Sequence, residues 1–424
     1  AQLPLRIEVL DWALPAPAQW RTDLWLEVSP YSLAETFNVT LWSDEHFERI
    51  EQTMTHVGRA GSDVLIIPVL QDSEFGNDSD SMVRWRGGDA VIDTATLDRY
   101  LDIAIEQMDV PEAIIFNVMH GESGPDTIQT ADQRGKVEMD DTKWKAFGKA
   151  LSTHMKRRGL ADAMVWGLPW DLVRRQNRID LLESVAPDVH WARASHAYGF
   201  DENFRTVSVV YFGMDDQYRN LKRKAGAEET AMGEGLGWQK DGMFVSCPRI
   251  HNTVQHINGY YPAFAYRIFP TRTVALGYTG IGRMGANYWN TWDGQVKTAQ
   301  NRLKDGEEKA SAQLVDFPIK DLLWPDVPNQ RIHSSQRFEI LREGMQEVEA
   351  RIAIEAKLLE ARDLPSKLQD SANATLRRHL NEVNYITRRT DSYLLNDYSQ
   401  RWRQRQHELF KMVARINQML EKEQ

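Results

Sequence analysis

The chain has 424 residues, enough for one large barrel plus an appended domain. Its 42% hydrophobic and 26% charged content is ordinary for a globular protein, and no run approaches the roughly 18 apolar residues of a membrane span. A formal net charge of -10 argues against nucleic acid as the main partner, and the lone Cys247 excludes an internal disulfide and a thiolate metal cluster.

Other metal signals are weak, since no HExxH-type spacing appears. The aromatic content is more pointed, with 14 Trp and 13 Tyr. Sugars offer flat CH faces beside hydroxyls, and a ring with a polar tip suits both. No signal peptide is visible. Ala1-Gln2 fits either a start trimmed after export or an internal boundary of a longer chain, and a secreted or periplasmic location is the expectation.

In chain order, residues 5–10 read as an entry strand, followed by a Pro-containing linker. Leu24 to Val28 reads as a second strand, closed by Ser29-Pro30. Ser43 is placed to cap a helix, with Asp44 and Glu45 in its first turn and Phe47, Ile50, Met54 and Val57 as its buried stripe. Val64 to Leu70 is apolar throughout, as expected of a strand buried on both faces. Residues 71–92 read as a long polar loop, and Thr94 opens the next helix. Ala113 to Met119 is a strand running into His120-Gly-Glu122. A helix around Trp144, Phe147, Leu151 and Met155 follows. Ala163 to Trp166 is the fourth strand, breaking at Gly167-Leu168-Pro169 before Trp170 and Asp171.

Further strands are expected at 189–194, ending in Ser195-His196-Ala197-Tyr198, and at 207–212, ending in Asp215-Asp216. Others are expected at 243–246, before the Pro248-Arg-Ile-His-Asn-Thr253 segment, and near Ile281 to Trp289. Alternation of about eight strands with helices means a parallel sheet, and the expected fold is an α/β (β/α)8 TIM barrel. From Ser335 the spacing turns helical. The expected division is therefore 1–20 as entry, 21–300 as barrel, 301–335 as connector and 336–424 as a C-terminal α-helical extension. Arginines between Arg377 and Arg405 read as a solvated helix face.

In such barrels the chemistry sits where strands end and helices begin. Polar residues expected at those ends are Asp72, Glu74, His120, Glu122, Asp171, His196, Tyr198, Asp215, Asp216, His251, Asn252, Asn287 and Asn290.

Several stretches together resemble glycoside hydrolase family 123. They are IEVLDWALP with LWSDEHFERI, SCPRIHNT with GYTGIGRMGANYWNTW, and LWPDVPNQRIHSSQRFEILREGMQEVEA. The resemblance implies retaining hydrolysis of β-linked N-acetylgalactosamine, with the substrate's acetamido oxygen attacking the anomeric carbon. An adjacent Asp-Glu pair at the end of the fourth strand carries that mechanism in the family. Here Leu168-Pro169 stands in its place. Leucine cannot polarise an amide, and proline cannot donate a proton. Asn290 and Trp292 fit the family's eighth strand, while the residues before them differ. Relatives also carry an upstream β-sandwich domain.

The first reading is thus a glycoside hydrolase with relocated carboxylates: Glu122 as acid, Asp171 or Asp216 as base or nucleophile. Trp166, Trp170, Tyr198, Tyr288 and Trp292 would line the cleft. His120, His196, His251, Asn252 and Asn290 would bond sugar hydroxyls. The alternative is a non-catalytic sugar-binding protein of the same fold. A third reading, a metal-dependent enzyme using His120, Glu122, His196 and His251, ranks below both. No cofactor is implied, and the sequence gives no oligomeric state.

Overall fold

A computed structural model describes residues 7–71, 77, 80–119, 126–168, 176–195, 204–210, 249–253, 264–275, 278–289, 321–360, 364–387 and 395–422. Strand β1 (Asp23–Glu27) is followed by α1 (Pro30–Phe37) and α2 (Asp44–Arg59). Then come β2 (Val64–Pro68), α3 (Ala95–Met108), β3 (Ala113–Asn117), α4 (Asp141–Arg157), β4 (Met164–Leu168) and α5 (Gln176–Glu183). They lead to β5 (His190–Ser195), β6 (Phe204–Val210), β7 (Arg249–Thr253), α6 (Phe264–Ala275) and β8 (Gly280–Gly285). The strands form one parallel eight-stranded sheet in the order β1-β8-β7-β6-β5-β4-β3-β2. This is a mixed α/β fold.

Some boundaries differ from expectation. The entry strand does not form over its described residues, 7–10. Ile7 and Val9 there are 76% and 91% exposed, so their alternation has no sheet to pack on. Helix α1 was not foreseen. Ser29 does not close a strand but caps that helix, accepting the Ser32 N–H at 3.1 Å, with Pro30 in its first turn. The 71–92 loop contains a short ladder, Arg84–Trp85 against Ile92–Asp93. The break expected at Gly167 comes later, because Gly167 pairs with Asn117 and Leu168 with Arg193. Residues 243–246 lie outside the described set, and β7 is built from the Arg-Ile-His-Asn-Thr segment itself.

The sheet's two faces are distinct. Trp25, Val64, Ile66, Ala113, Ile115, Val165 and Ala192 gather with Tyr31 and Tyr288 in one apolar cluster. Their strand neighbours Leu24, Leu26, Leu65, Ile67, Ile114, Phe116, Met164, Trp166, Leu168 and Trp191 join a larger cluster with the helices. Period-two alternation produces this split. Each large side chain in these layers contributes ~1.5–3 kcal/mol by leaving water.

Helix α2 forms as its sequence dictates. Ser43 Oγ accepts the His46 N–H, and Phe47, Ile50, Met54 and Val57 are buried. His46 itself is fully buried. Its Nδ1 accepts the Trp42 N–H at 2.9 Å, which leaves the proton on Nε2 to donate to the Pro30 carbonyl at 2.7 Å. Burial pushes the imidazole down to about 4. A depressed folded-state value means stability is present above about 6.5 and drains away as pH falls towards about 4. His46→Gln should lack that part of the acid sensitivity. Urea unfolding of both proteins at neutral and mildly acid pH checks this, and parallel pH dependence would refute it.

Beyond the sheet, a hairpin of Leu323–Asp326 and Arg331–Ser334 leads into α7 (Gln336–Glu360). Helices α8 (Ser366–Thr387) and α9 (Leu395–Lys422) follow. Although α7 starts where the helical region was expected, it shares the sheet's core. Phe338, Leu341 and Met345 belong to the main cluster, and Val348 and Ile352 pack on Val274 of α6. Gly344 makes the approach possible, since a Cβ there would sit 2.3 Å from the Arg267 carbonyl oxygen. Further along, Glu349 accepts the backbone N–H groups of Arg21 and Thr22, just before β1. Helices α8 and α9 pack on the far half of α7 through Leu364, Leu368, Leu376, Leu409, Val413 and Ile416. Among the described residues no helix is long and apolar enough to cross a membrane.

Candidate active site

The carboxyl ends of the strands bring together polar side chains that the apolar sequence around them conceals. Glu27 closes β1. With Trp25 facing the smaller cluster and Leu26 the larger one, alternation turns Glu27 to the Trp25 side. Its side chain is wholly buried, and Arg283 of β8 pairs with it through Nε. The Trp25 indole Nε1 donates to Glu27 Oε1 at 3.0 Å, and the Tyr288 hydroxyl donates to Oε2 at 3.3 Å. Asn117 closes β3 and lies against the bare backbone of Gly167, where a Cβ would come 2.8 Å from its Oδ1.

A second polar group occupies the segments after β1 and β2. The Tyr31 hydroxyl and Trp42 Nε1 both donate to Asp80 Oδ2, at 3.0 and 3.1 Å. Arg84 reaches Asp80 Oδ1, Gln129 Oε1 and Thr96 Oγ1, at 3.2, 2.8 and 2.9 Å. Burial, reinforced by the Asp80 carboxylate, pushes the Tyr31 hydroxyl well above its ordinary range, so it stays a donor. A third pair, Asp126 with Arg178 of α5, is 2.9 Å apart.

One carboxylate trio, Asp23, Asp63 and Glu112, has ligand atoms near one another. It lies at the amino ends of β1 to β3, away from the groups above. Asp63 Oδ1 there accepts the Leu24 N–H at 3.0 Å.

Glu122, Asp171 and Asp216, read as acid and base, lie outside the described residues. So do His120, Trp170, His196, Tyr198, Asn290 and Trp292, with Asp72, Glu74 and Asp215. By chain position, residues 120–125 follow β3, 169–175 follow β4, 196–203 follow β5 and 290–320 follow β8. His251 and Asn252 fall inside β7, paired in register with Ser208 and Val209 of β6. Tyr288 stands in the smaller cluster beside Glu27, 7% exposed.

Two expectations need correction. Trp166 does not face this side of the sheet. It is fully buried in the helix-facing layer, with its ring 6.4 Å from Phe116 and against α4 at Gly148. Adjacent Val165 takes the other face, so Trp166 cannot. Asn287 is a strap rather than a ligand-binding group: its Oδ1 accepts the Ser29 N–H and its Nδ2 donates to the Ser29 carbonyl, at 2.8 and 2.9 Å.

Sequence reasoning missed Glu27, Arg283 and Asn117. A carboxylate inside the apolar run Leu24-Trp25-Leu26-Glu27-Val28 was the available signal.

Residues 25–354, from the middle of β1 into α7, match the family described as "Glycoside hydrolase 123, catalytic domain". The chain belongs to glycoside hydrolase family 123. Membership supports a hydrolase and suggests a carbohydrate substrate. Among solved structures the chain is similar to a family 123 glycoside hydrolase from Clostridium perfringens, studied for glycolipid glycan hydrolysis. Identity is 12% and the TM-score 0.62, over 98% of this chain and 73% of that one. At that identity the likeness concerns the fold alone. An endo-beta-1,4-mannanase from Thermotoga petrophila, at 11% identity over 78% of both chains, has a TM-score of 0.40, too slight a likeness to bear on either fold or function. No curated protein matches the chain.

The family 123 match also covers the polar groups described above. Glu27, Arg283, Asn117, Asp80 and Tyr288 all fall between its limits. Leu168, where the family's Asp is expected, is 3% exposed in the helix-facing layer with Trp166. An ionised carboxylate at that position would be buried among apolar side chains, at a cost that only an ion pair could offset.

Proposed function

We propose that the eight strands close into a (β/α)8 barrel and that the chain hydrolyses a glycosidic bond at its carboxyl-end mouth. Closure is supported by the approach of the two end strands of the sheet. The Asp63 N–H donates to the Leu24 carbonyl at 3.2 Å, and Ser62 Oγ donates to the same oxygen at 2.9 Å. The smaller apolar cluster also draws on β1 and β2 together. The observation that carries the function is the family match from residue 25 to residue 354.

The substrate class is β-linked N-acetylgalactosamine or a related galactoside within a larger glycan. Protonation of the leaving oxygen falls to Glu122, and Asp171 or Asp216 serves as base or nucleophile. Leu168 supports relocation, since its side chain packs among helices and the carboxylates must come from elsewhere.

The test is a hydrolysis screen of β-N-acetylgalactosaminides, galactosides and glucosides with wild type, Glu122→Gln and Asp171→Asn side by side. Loss of a general acid or base should lower kcat by about a hundredfold or more. Full activity in both variants would sink the assignment and move attention to Asp215, Asp216 and Glu74. A wild type that binds a glycan without cleaving it would instead make the chain a sugar-binding protein.

A further inference from the structure

We propose that the outer face of the 323–334 hairpin, with Trp324 as its platform, is a second sugar-binding site that holds an outlying residue of a longer glycan. The inference rests on the reading that the mouth at the strands' carboxyl ends takes a glycan.

The hairpin pairs Leu323 with Ser334, Trp324 with His333, Pro325 with Ile332 and Asp326 with Arg331. Alternation therefore puts Leu323 and Ile332 on one face and Trp324, Asp326, Arg331 and His333 on the other. Leu323 and Ile332 are buried, whereas Trp324 is 66% exposed. It is the one aromatic ring among the large apolar side chains exposed in the described residues. A single exposed apolar side chain is ordinary. What distinguishes Trp324 is its support and its neighbours.

The support is fixed from two sides. The Ile332 N–H donates to Gln52 Oε1 at 3.1 Å, and the Ile332 carbonyl meets His56 Nε2 at 3.0 Å, both on α2. The Leu323 N–H donates to the Ala286 carbonyl at 2.9 Å, and the Leu323 carbonyl accepts the Trp289 indole N–H at 2.7 Å. A platform set before its ligand arrives spares part of the ordering cost of binding. Its neighbours are polar. His333 lies across the ladder from Trp324, and its Nε2 meets Asp326 Oδ2 at 3.4 Å. With Nε2 donating there, a neutral imidazole keeps Nδ1 as an acceptor. Asn329 Nδ2 holds the same Asp326 oxygen at 2.9 Å. A flat ring bordered by an imidazole, a carboxylate and the Arg331 guanidinium suits a sugar, whose CH face covers the ring while its hydroxyls reach the border. A protein partner would ask for a contiguous apolar patch cleared of charge. The place fits as well. Ala286, which anchors Leu323, directly follows β8, and its N–H donates to the Glu27 carbonyl at 2.8 Å. The hairpin thus begins at the carboxyl ends of β1 and β8, beside the mouth.

The test compares 4-nitrophenyl β-N-acetylgalactosaminide with a tetrasaccharide ending in β-linked N-acetylgalactosamine. Hydrolysis of both and calorimetric binding of the tetrasaccharide are measured for wild type, Trp324→Ala, Trp324→Tyr and His333→Ala, with thermal melts to confirm folding. Trp324→Ala should raise Kd or KM for the tetrasaccharide about tenfold more than KM for the short substrate, the order of one aromatic contact. Trp324→Tyr keeps a ring and should lose less, and His333→Ala should lose about threefold on the tetrasaccharide. Equal losses on both substrates would place Trp324 in the mouth's own support and overturn a separate site. Unchanged tetrasaccharide binding and hydrolysis in Trp324→Ala would overturn the site while leaving the glycan reading intact. A wild-type dimer in sedimentation that Trp324→Ala turns into monomer would make the ring a protein contact and overturn it too. A wild type that neither binds nor cleaves either sugar would remove the glycan reading and this inference with it.

Discussion

Glu347→Ala is expected to lower the unfolding free energy by ~3–5 kcal/mol, the usual cost of breaking a buried pair from one side. Glu347 lies on α7 with no solvent exposure. Its Oε1 accepts from Arg267 Nε of α6, and its Oε2 accepts from the Trp402 indole of α9 at 2.6 Å. Removing the carboxylate takes an acceptor from the Trp402 indole and one of two carboxylates from Arg267, which keeps Glu343 at 2.9 Å. Glu347→Gln retains an acceptor and should cost less. Burial pushes this carboxyl up to about 8, against the pull of Arg267 and Trp402. A raised folded-state value means its contribution is complete below about 4.5 and declines as pH climbs towards about 8. Urea unfolding across that window, wild type against Glu347→Gln, should show the slope in wild type alone. A loss below about 1 kcal/mol for Glu347→Ala would place the pair in the class of exposed salt bridges and refute this account.

Asp126→Ala should have an effect of similar size, ~3–5 kcal/mol. Asp126 meets Arg178 of α5 with both side chains nearly excluded from solvent. The guanidinium lies 4.2 Å from the Trp144 ring centroid, on α4, and Nη1 approaches the Val118 carbonyl at 3.5 Å. Alanine leaves that charge buried with one carboxylate fewer. The pairing of Asp126→Ala with Arg178→Met removes the charge and lays a flexible apolar chain on Trp144. The double variant should therefore recover much of the loss. Chemical unfolding of the three variants measures it, and a double variant as unstable as the sum of the singles would show that the charge is not the cause.

What the sequence disclosed follows from which forces are local. Helix α2 was legible because Ser43, Asp44 and the Phe47-Ile50-Met54-Val57 stripe act within a turn or two of one another. The strands at 64, 113 and 164 were legible as apolar runs. Such a run is apolar on both faces, however, and does not announce which face is which. Trp166 was assigned to the cleft for that reason, and only its register beside Ile115 and Phe116 turns it outward. The alternation of Ile7 and Val9 mimics a strand, but both side chains are exposed and no strand forms over residues 7–10. Ser29-Pro30 was read as an end when it is a beginning. The carboxylates proposed for catalysis came from chain position after β3, β4 and β6. Glu27 was hidden because its partner Arg283 lies 256 positions away. The joining of α7 to α6 across Gly344 is likewise a property of two distant surfaces.

The Glu349 link has a temporal consequence. The amides it caps belong to Arg21 and Thr22, 328 and 327 positions earlier in the chain. Among the described residues, the only ladder that pairs β1 within the sheet is with β8. During synthesis, β1 must therefore wait for two of its anchors until a further three hundred or so residues have been made. Contacts of such separation are slow to form and leave apolar edges uncovered meanwhile. Leu24, Trp25 and Leu26 would be the segment a chaperone shields in the nascent chain, and a cut before residue 349 would leave that strand without its final clasp.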